Sequence, residues 1–348
     1  MNKKNRYIDT KNLKWYGFII FILLIAYFPI TSFQLAIKND FFQAYFPVKY
    51  FFSNAIKAGE WPLWNPFLNY GFPAYGDMSA SYWNPLTWLF AFIGYNAYLF
   101  TLEQLIYMLL AAVGMFKLMG HWTDDQRVKL ITAASYLCSG FITSHQQHFN
   151  WITAAGLLPL FIYYFISTIK NPITVNILKL LLVSIFFLTS VHPGMIIGLF
   201  LMLLPITFSL RHSIFKIKFS YRDITIALIL FILMIAGMIY GYADVIFYTN
   251  RSHPIIAETG FAGYTSITNW ASFLLPLISD DRTGIFNNEF TLRNCYVGLV
   301  IFSMLIYALF SRNKGRTQVY FYTTGLFFLI LSSNIIHFIY AKIPISIL

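Results

Sequence analysis

Charge is scarce in this sequence. Of 348 residues only 11% are charged and 13 are acidic, against 58% that are hydrophobic. A water-soluble globule of this size needs far more polar surface, so the scarcity excludes one and marks an integral membrane protein. Cysteine is nearly missing as well. Cys138 lies inside one apolar run and Cys295 at the start of another, without the spacing of a metal site or a disulfide framework, so both read as packing residues. There is no low-complexity linker, no convincing internal repeat and no soluble domain, and a single domain over 1–348 is expected. The net charge of +11 would suggest nucleic acid in a soluble protein. Here the basic residues fall into short clusters between apolar runs, the pattern of cytoplasmic loops, and no nucleic-acid partner is expected.

What the sequence has in quantity is apolar runs. About 20 such residues cross the hydrocarbon core, and fewer suffice beside partner helices or a thinned bilayer. Nine candidate spans follow: 15–36, 97–119, 130–144, 151–169, 175–191, 194–210, 223–243, 295–311 and 318–339. The pattern predicts an all-α polytopic membrane protein. The basic start MNKKNRYIDTKNLK resembles the n-region of a signal peptide, but the run after it exceeds an h-region and no small-x-small cleavage site follows. An uncleaved first span is expected.

Threading the chain through these spans from a cytoplasmic N-terminus leaves Lys3, Lys4, Arg6, Lys117, Arg127, Lys129, Lys170, Lys179, Lys216, Lys218, Arg312 and Lys314 among the basic residues inside. Only Asp9, Asp124, Asp125 and Asp223 accompany them. Reversing any span would move a basic cluster outside, so the positive-inside rule supports the scheme and a multi-pass place in the cell membrane. Two large polar segments, 36–96 and 244–294, then share the extracytoplasmic face. A site made by this chain is expected there.

The first of these segments is unlike the rest of the chain. Asp40 follows the first span almost at once, and Phe41, Tyr45, Val48 and Phe52 recur at helical spacing, with Gln43, Lys49 and Asn54 elsewhere on the wheel. That spacing predicts an interfacial helix. The turns AGEWPLWNP and YGFPAYGD then use Gly and Pro to fix an irregular backbone, which needs water or protein to satisfy it at that depth.

The order Asp40, Gly59-x-Trp61-Pro62-Leu63-Trp64-Asn65-Pro66, Gly71-x-Pro73, Asp77 and Asn84-Pro85 resembles the YfhO-type bacterial membrane protein family, within the GT-C superfamily of polytopic glycosyltransferases. The later HFNW and LLPL stretches, the SVHPG turn, Arg251-Ser252 and the YVG passage extend the resemblance over nearly the whole chain. It implies a GT-C-like domain that moves a sugar from a polyprenyl-phosphate-linked donor to an envelope glycan or glycolipid acceptor on the extracytoplasmic face. It also implies that the carboxylate of the first outer loop, Asp40 here, acts as general base or metal partner. The cofactor stays open, a divalent cation included. Two departures stand out. The adjacent Asp-Glu pair of protein mannosyltransferases is absent, since Asn39 and Phe41 flank Asp40, and the chain stops at KIPISIL where family members usually continue, as a short variant or a fragment would.

The candidate residues each carry an ordinary reading beside the functional one. Asp40 is a base or a solvated cap. Asp77 is a second acid, a metal ligand or a turn residue after Gly76. Gln43, Trp64 and Asn65 are candidates for substrate contact. Arg251, His253 and Arg293 are outer-side candidates to neutralise a leaving phosphate, with lipid headgroups as the ordinary partner of Arg251. His192 before Pro193 fits a phosphate contact or a turn hydrogen bond. His145 and His148, three apart, read as polar lining of the outer mouth rather than as metal ligands. Glu103, costly inside an apolar run, is either functional or close enough to the outer end to reach water. Two other functions compete with sugar transfer: a transporter or flippase of a lipid-linked precursor, and a noncatalytic envelope assembly protein.

Overall fold

The computed structural model describes residues 10–68, 70–77, 80–190, 193–214, 221–246, 267–275, 289–311 and 315–333. The described chain is mostly helical. It begins with α1 (Thr10–Ala26) and α2 (Phe28–Thr31), passes through a π-helical turn at Phe41–Tyr45 and continues as α3 (Phe46–Lys57). Two short strands, β1 (Trp64–Asn65) and β2 (Phe72–Pro73), pair antiparallel with Trp64 opposite Pro73. The helices α4 (Pro85–Ile93), α5 (Ala97–Met119), α6 (Gln126–Leu137), α7 (Gly140–Ser144), α8 (Phe149–Lys170) and α9 (Thr174–Leu188) follow. Then come α10 (Pro193–Ser209), α11 (Arg211–Ile214), α12 (Tyr221–Val245), α13 (Leu299–Phe310) and α14 (Arg316–Leu331).

Among the described residues three helices are long and apolar enough to cross a membrane: Ala97–Met119, Phe149–Lys170 and Ile224–Val245. They coincide with three of the nine expected spans. Shorter apolar helices at Leu13–Ala26, Thr174–Leu188, Met195–Ser209, Leu299–Phe310 and Gln318–Leu331 occupy five more. The expected span 130–144 is not one helix. α6 ends at Leu137, Ser139 is extended, and the amide of Gly140 donates to the Tyr296 carbonyl at 2.6 Å before α7 restarts the helix. The expected first span also ends early. Pro29 has no N–H to donate to the Ile25 carbonyl, which interrupts the ladder of α1, and Phe33 at φ 56° leaves the helical region after α2.

α5 and α8 form the centre of the bundle. A Cβ on Gly156 of α8 would lie 2.5 Å from the Tyr107 carbonyl oxygen of α5, so only glycine permits this approach. Buried residues make up 61% and 67% of the apolar windows of α5 and α8 but only 17% of that of α12, which leaves Ile232, Leu233 and Tyr240 exposed along its length. An apolar surface of that kind suits lipid rather than water.

The segment between α2 and α4 packs on α5 as a lid of aromatic rings. Phe41 stacks on Phe100 at 4.1 Å between centroids and Phe52 on Tyr82 at 4.5 Å, and both phenylalanines are essentially buried. Full burial of a phenylalanine contributes about 1.5–3 kcal/mol. Of the predicted face of Phe41, Tyr45, Val48 and Phe52, all but the partly covered Tyr45 are buried. The Asn-Pro dipeptides have a local physical role. Asn84 caps α4, its Oδ1 accepting from the Leu86 amide at 2.9 Å ahead of Pro85, and Asn65 Oδ1 accepts from the Phe67 amide at 3.0 Å across Pro66. Gly59 at φ 77° ends α3, with Glu60 N–H returning to the Ala55 carbonyl at 2.9 Å.

Candidate functional site

Asp40 begins the π-helical turn directly after Asn39, which adopts a left-handed φ of 58°. The Asn39 side chain donates from Nδ2 to Gln147 Oε1 at 2.8 Å and so ties this turn to the link between α7 and α8. The result is that Asp40 Oδ2 lies 3.5 Å from His148 Nε2, the same nitrogen that lies 3.9 Å from Glu289 Oε1. Asp40 is half exposed while His148 is largely covered. One imidazole thus faces two carboxylates, one from each of the two large polar segments. Arg293 follows Glu289 by one short helical turn, Phe290–Leu292.

His145 stands behind this cluster. Its ring is sandwiched between Phe141 at 4.4 Å and Trp151 at 4.7 Å, and its Nδ1 meets the Phe141 carbonyl at 3.1 Å. Burial first, and the neighbouring His148 second, push the His145 pKa down to about 4, against the Phe141 hydrogen bond. It is a neutral wedge that sets the position of α7 against α8. Among the described residues no group of three or more His, Cys, Asp or Glu is placed to hold a metal ion.

The most densely bonded charged group joins Lys49, expected only off the apolar face of its helix, to Glu103, of whose two readings the reach to water does not hold. Both are fully buried, with Lys49 Nζ 2.9 Å from Glu103 Oε1 and 3.0 Å from Oε2. Thr87 Oγ1 and the Tyr95 hydroxyl donate to the same carboxylate at 3.3 and 2.8 Å. The Lys49 ammonium also lies 4.3 Å from the Phe149 ring centroid. Such a pair is tolerable in a low-dielectric interior only with every oxygen and proton satisfied, which these partners accomplish. The sequence signal was the cost of Glu103 in an apolar run; its partner, 54 residues away, left no local trace.

The other sequence candidates fall into three groups. Gln43 and Asn65 line one cavity of ≈ 630 Å³ between α3 and the 58–68 loop, together with Asn54, Glu60, Tyr50 and Phe67. Trp64 belongs to the same loop, with its indole over Gly71, where a Cβ would come within 2.4 Å of the ring. Asp77 is elsewhere. It closes the short turn Ala74–Gly76, its amide 3.1 Å from the Ala74 carbonyl, and faces Tyr82, whose hydroxyl burial and the Asp77 charge push far above the ordinary range. That turn is fastened to α12: the Tyr75 hydroxyl donates to Asp244, and a Cβ on Gly241 would lie 2.6 Å from the Tyr75 carbonyl oxygen. His192, Arg251 and His253 lie outside the described residues.

These features define a mostly helical protein with three helices suited to cross a membrane and a carboxylate–imidazole cluster beside the end of one of them. No family model, no curated protein and no solved structure matches the chain.

Proposed function

We propose that this chain is a cell-membrane glycosyltransferase of the GT-C type, related to the YfhO-type proteins it resembles. It moves a sugar from a polyprenyl-phosphate-linked donor to an envelope glycan or glycolipid acceptor. In this reading the N-terminus is cytoplasmic and the site extracytoplasmic, which the distribution of basic residues supports. The observation that carries the reading is the half-exposed Asp40 carboxylate 3.5 Å from His148. A carboxylate so placed can take the proton of an acceptor hydroxyl as it attacks the anomeric carbon, while His148 orients it and passes the proton on. General-base help of this kind is worth roughly 10²- to 10⁴-fold. Arg293, one short helical turn after Glu289, is the candidate to offset the leaving phosphate.

The test is a comparison of envelope glycans and lipid-linked sugars in cells with the wild-type gene, without it, and with Asp40→Asn. Loss of a sugar with accumulation of its lipid-linked donor, in the deletion and the variant alike, is the expected outcome. Movement of a lipid-linked precursor in liposomes without bond formation would replace this reading with transport.

A further inference from the structure

We propose that the face formed by α10 and α14 is a binding site for an anionic phospholipid, with the acyl chains in an apolar groove and the phosphate on Arg211. The groove between the two helices encloses ≈ 720 Å³, with Leu201, Leu204, Pro205, Phe327 and Phe328 among its walls and Arg211 at its end. The face of α10 here is exposed, Leu204 at 62%, so the groove opens outward along helices too apolar to be left in water.

Arg211 is held in place for a ligand. Its Nη1 donates to the Phe208 carbonyl at 3.1 Å and its guanidinium carbon lies 4.6 Å from the Phe208 ring centroid. Phe208 in turn packs edge-on against Tyr320 of α14 at 4.9 Å. A guanidinium has five N–H donors in a planar fork that matches a phosphate, and among the described residues no carboxylate pairs with this one.

The surroundings carry the same sign. On the other side of α10, His121, Lys170 and Ser209 line a second cavity of ≈ 230 Å³. Lys117, Lys170 and Lys179 likewise have no ion pair among the described residues. In sequence, Lys216 and Lys218 follow α11, and Arg312 and Lys314 precede α14. This end of the bundle is opposite Asp40: His148 precedes α8 and Lys170 ends it, 22 residues or about 33 Å along a helix. Cations at the mouth of an apolar groove complement a phosphate esterified to hydrocarbon. A free anion would gain nothing from the groove walls.

The experiment uses the full chain in mixed micelles, with lipid retention measured by native mass spectrometry for phosphatidylglycerol and phosphatidylcholine. The expected result is a preference for phosphatidylglycerol that falls about fivefold in Arg211→Gln, the change associated with one surface cation, and is only partly kept in Arg211→Lys, which retains the charge without the planar fork. Thr324→Trp, which fills the groove, lowers retention of both lipids. Equal retention of the two lipids by the wild type, an unchanged preference in Arg211→Gln, or displacement of phosphatidylglycerol by excess inorganic phosphate would overturn the proposal. None of these readouts depends on sugar transfer.

Discussion

Lys49 and Glu103 are joined at 2.9 Å in a fully buried ion pair that ties α3 to α5. Removing one partner strands the other charge in the interior, a loss of about 3–5 kcal/mol. Lys49→Met and Glu103→Leu are therefore each expected to lower the unfolding midpoint in detergent sharply. The double variant Lys49→Met/Glu103→Leu should recover much of the loss, because no charge is left unpaired. A double-mutant cycle by thermal unfolding checks this, and additive losses would show that the pair is not coupled.

Acid should loosen the link between α7 and α8. His145 has its folded pKa at about 4, below its unfolded value of 6.5. The unfolded chain binds the proton first, so stability is complete above pH 6.5 and declines as pH falls towards 4. The span of the shift corresponds to a loss on the order of 3 kcal/mol. His145→Phe keeps a ring between Phe141 and Trp151 and cannot titrate. Its unfolding midpoint should fall less between pH 7 and pH 4 than that of the wild type.

Asn84 is expected to be a structural residue of high cost. Its Oδ1 caps α4 and accepts from the Tyr107 hydroxyl at 3.3 Å, and its Nδ2 donates to the Phe186 carbonyl and Thr189 Oγ1 at 3.2 and 3.3 Å. Asn84→Ala loses the cap and leaves buried partners unsatisfied, about 2–3 kcal/mol together. Asn96→Ala, which loses a single exposed cap bond to Leu99 at 2.9 Å, should cost about 1 kcal/mol. Equal effects of the two changes on chemical unfolding would contradict this ordering.

Gly241→Val should detach the Ala74–Gly76 turn from α12, since a side chain there meets the Tyr75 carbonyl. Limited proteolysis of the first polar segment is expected to become several-fold faster. Tyr75→Phe, which removes only the hydrogen bond to Asp244, should give a smaller change in the same assay.

Asp40→Asn is expected to leave the unfolding midpoint within about 0.5 kcal/mol of wild type, as surface substitutions usually do. If the proposed reaction is right, transfer falls by roughly 10²-fold or more. An active Asp40→Asn protein would remove Asp40 from the role of base.

The parts of this fold that were legible in the sequence are those set by local pattern. α5, α8 and α12 follow from apolar runs of spanning length. The buried face of Phe41, Val48 and Phe52 follows from its spacing, and the Asn-Pro turns from their own chemistry. The break at Ser139 was invisible to hydropathy, because the backbone amide it frees at Gly140 is satisfied by Tyr296, far away in sequence. The same holds for the site. Asp40 stood out as an acid after an apolar run, but its pairing with His148 depends on Asn39 reaching Gln147, 108 residues away. Lys49 looked like an ordinary polar position on a helical wheel because its environment is built by Thr87, Tyr95, Glu103 and Phe149, all distant in sequence.

The Lys49–Glu103 pair also constrains how the protein is made. Lys49 leaves the ribosome 54 residues before Glu103. A lone carboxylate in an apolar helix is expensive to insert, by about 2.5–3.5 kcal/mol at the membrane centre and by less near a helix end, where Glu103 lies. Docking of α3, synthesised earlier, over α5 is expected to favour the final depth of α5 by supplying the ammonium. Docking of the first polar segment and seating of the central helix become one cooperative step, and a nascent chain cut before Glu103 would hold Lys49 without its counter-charge.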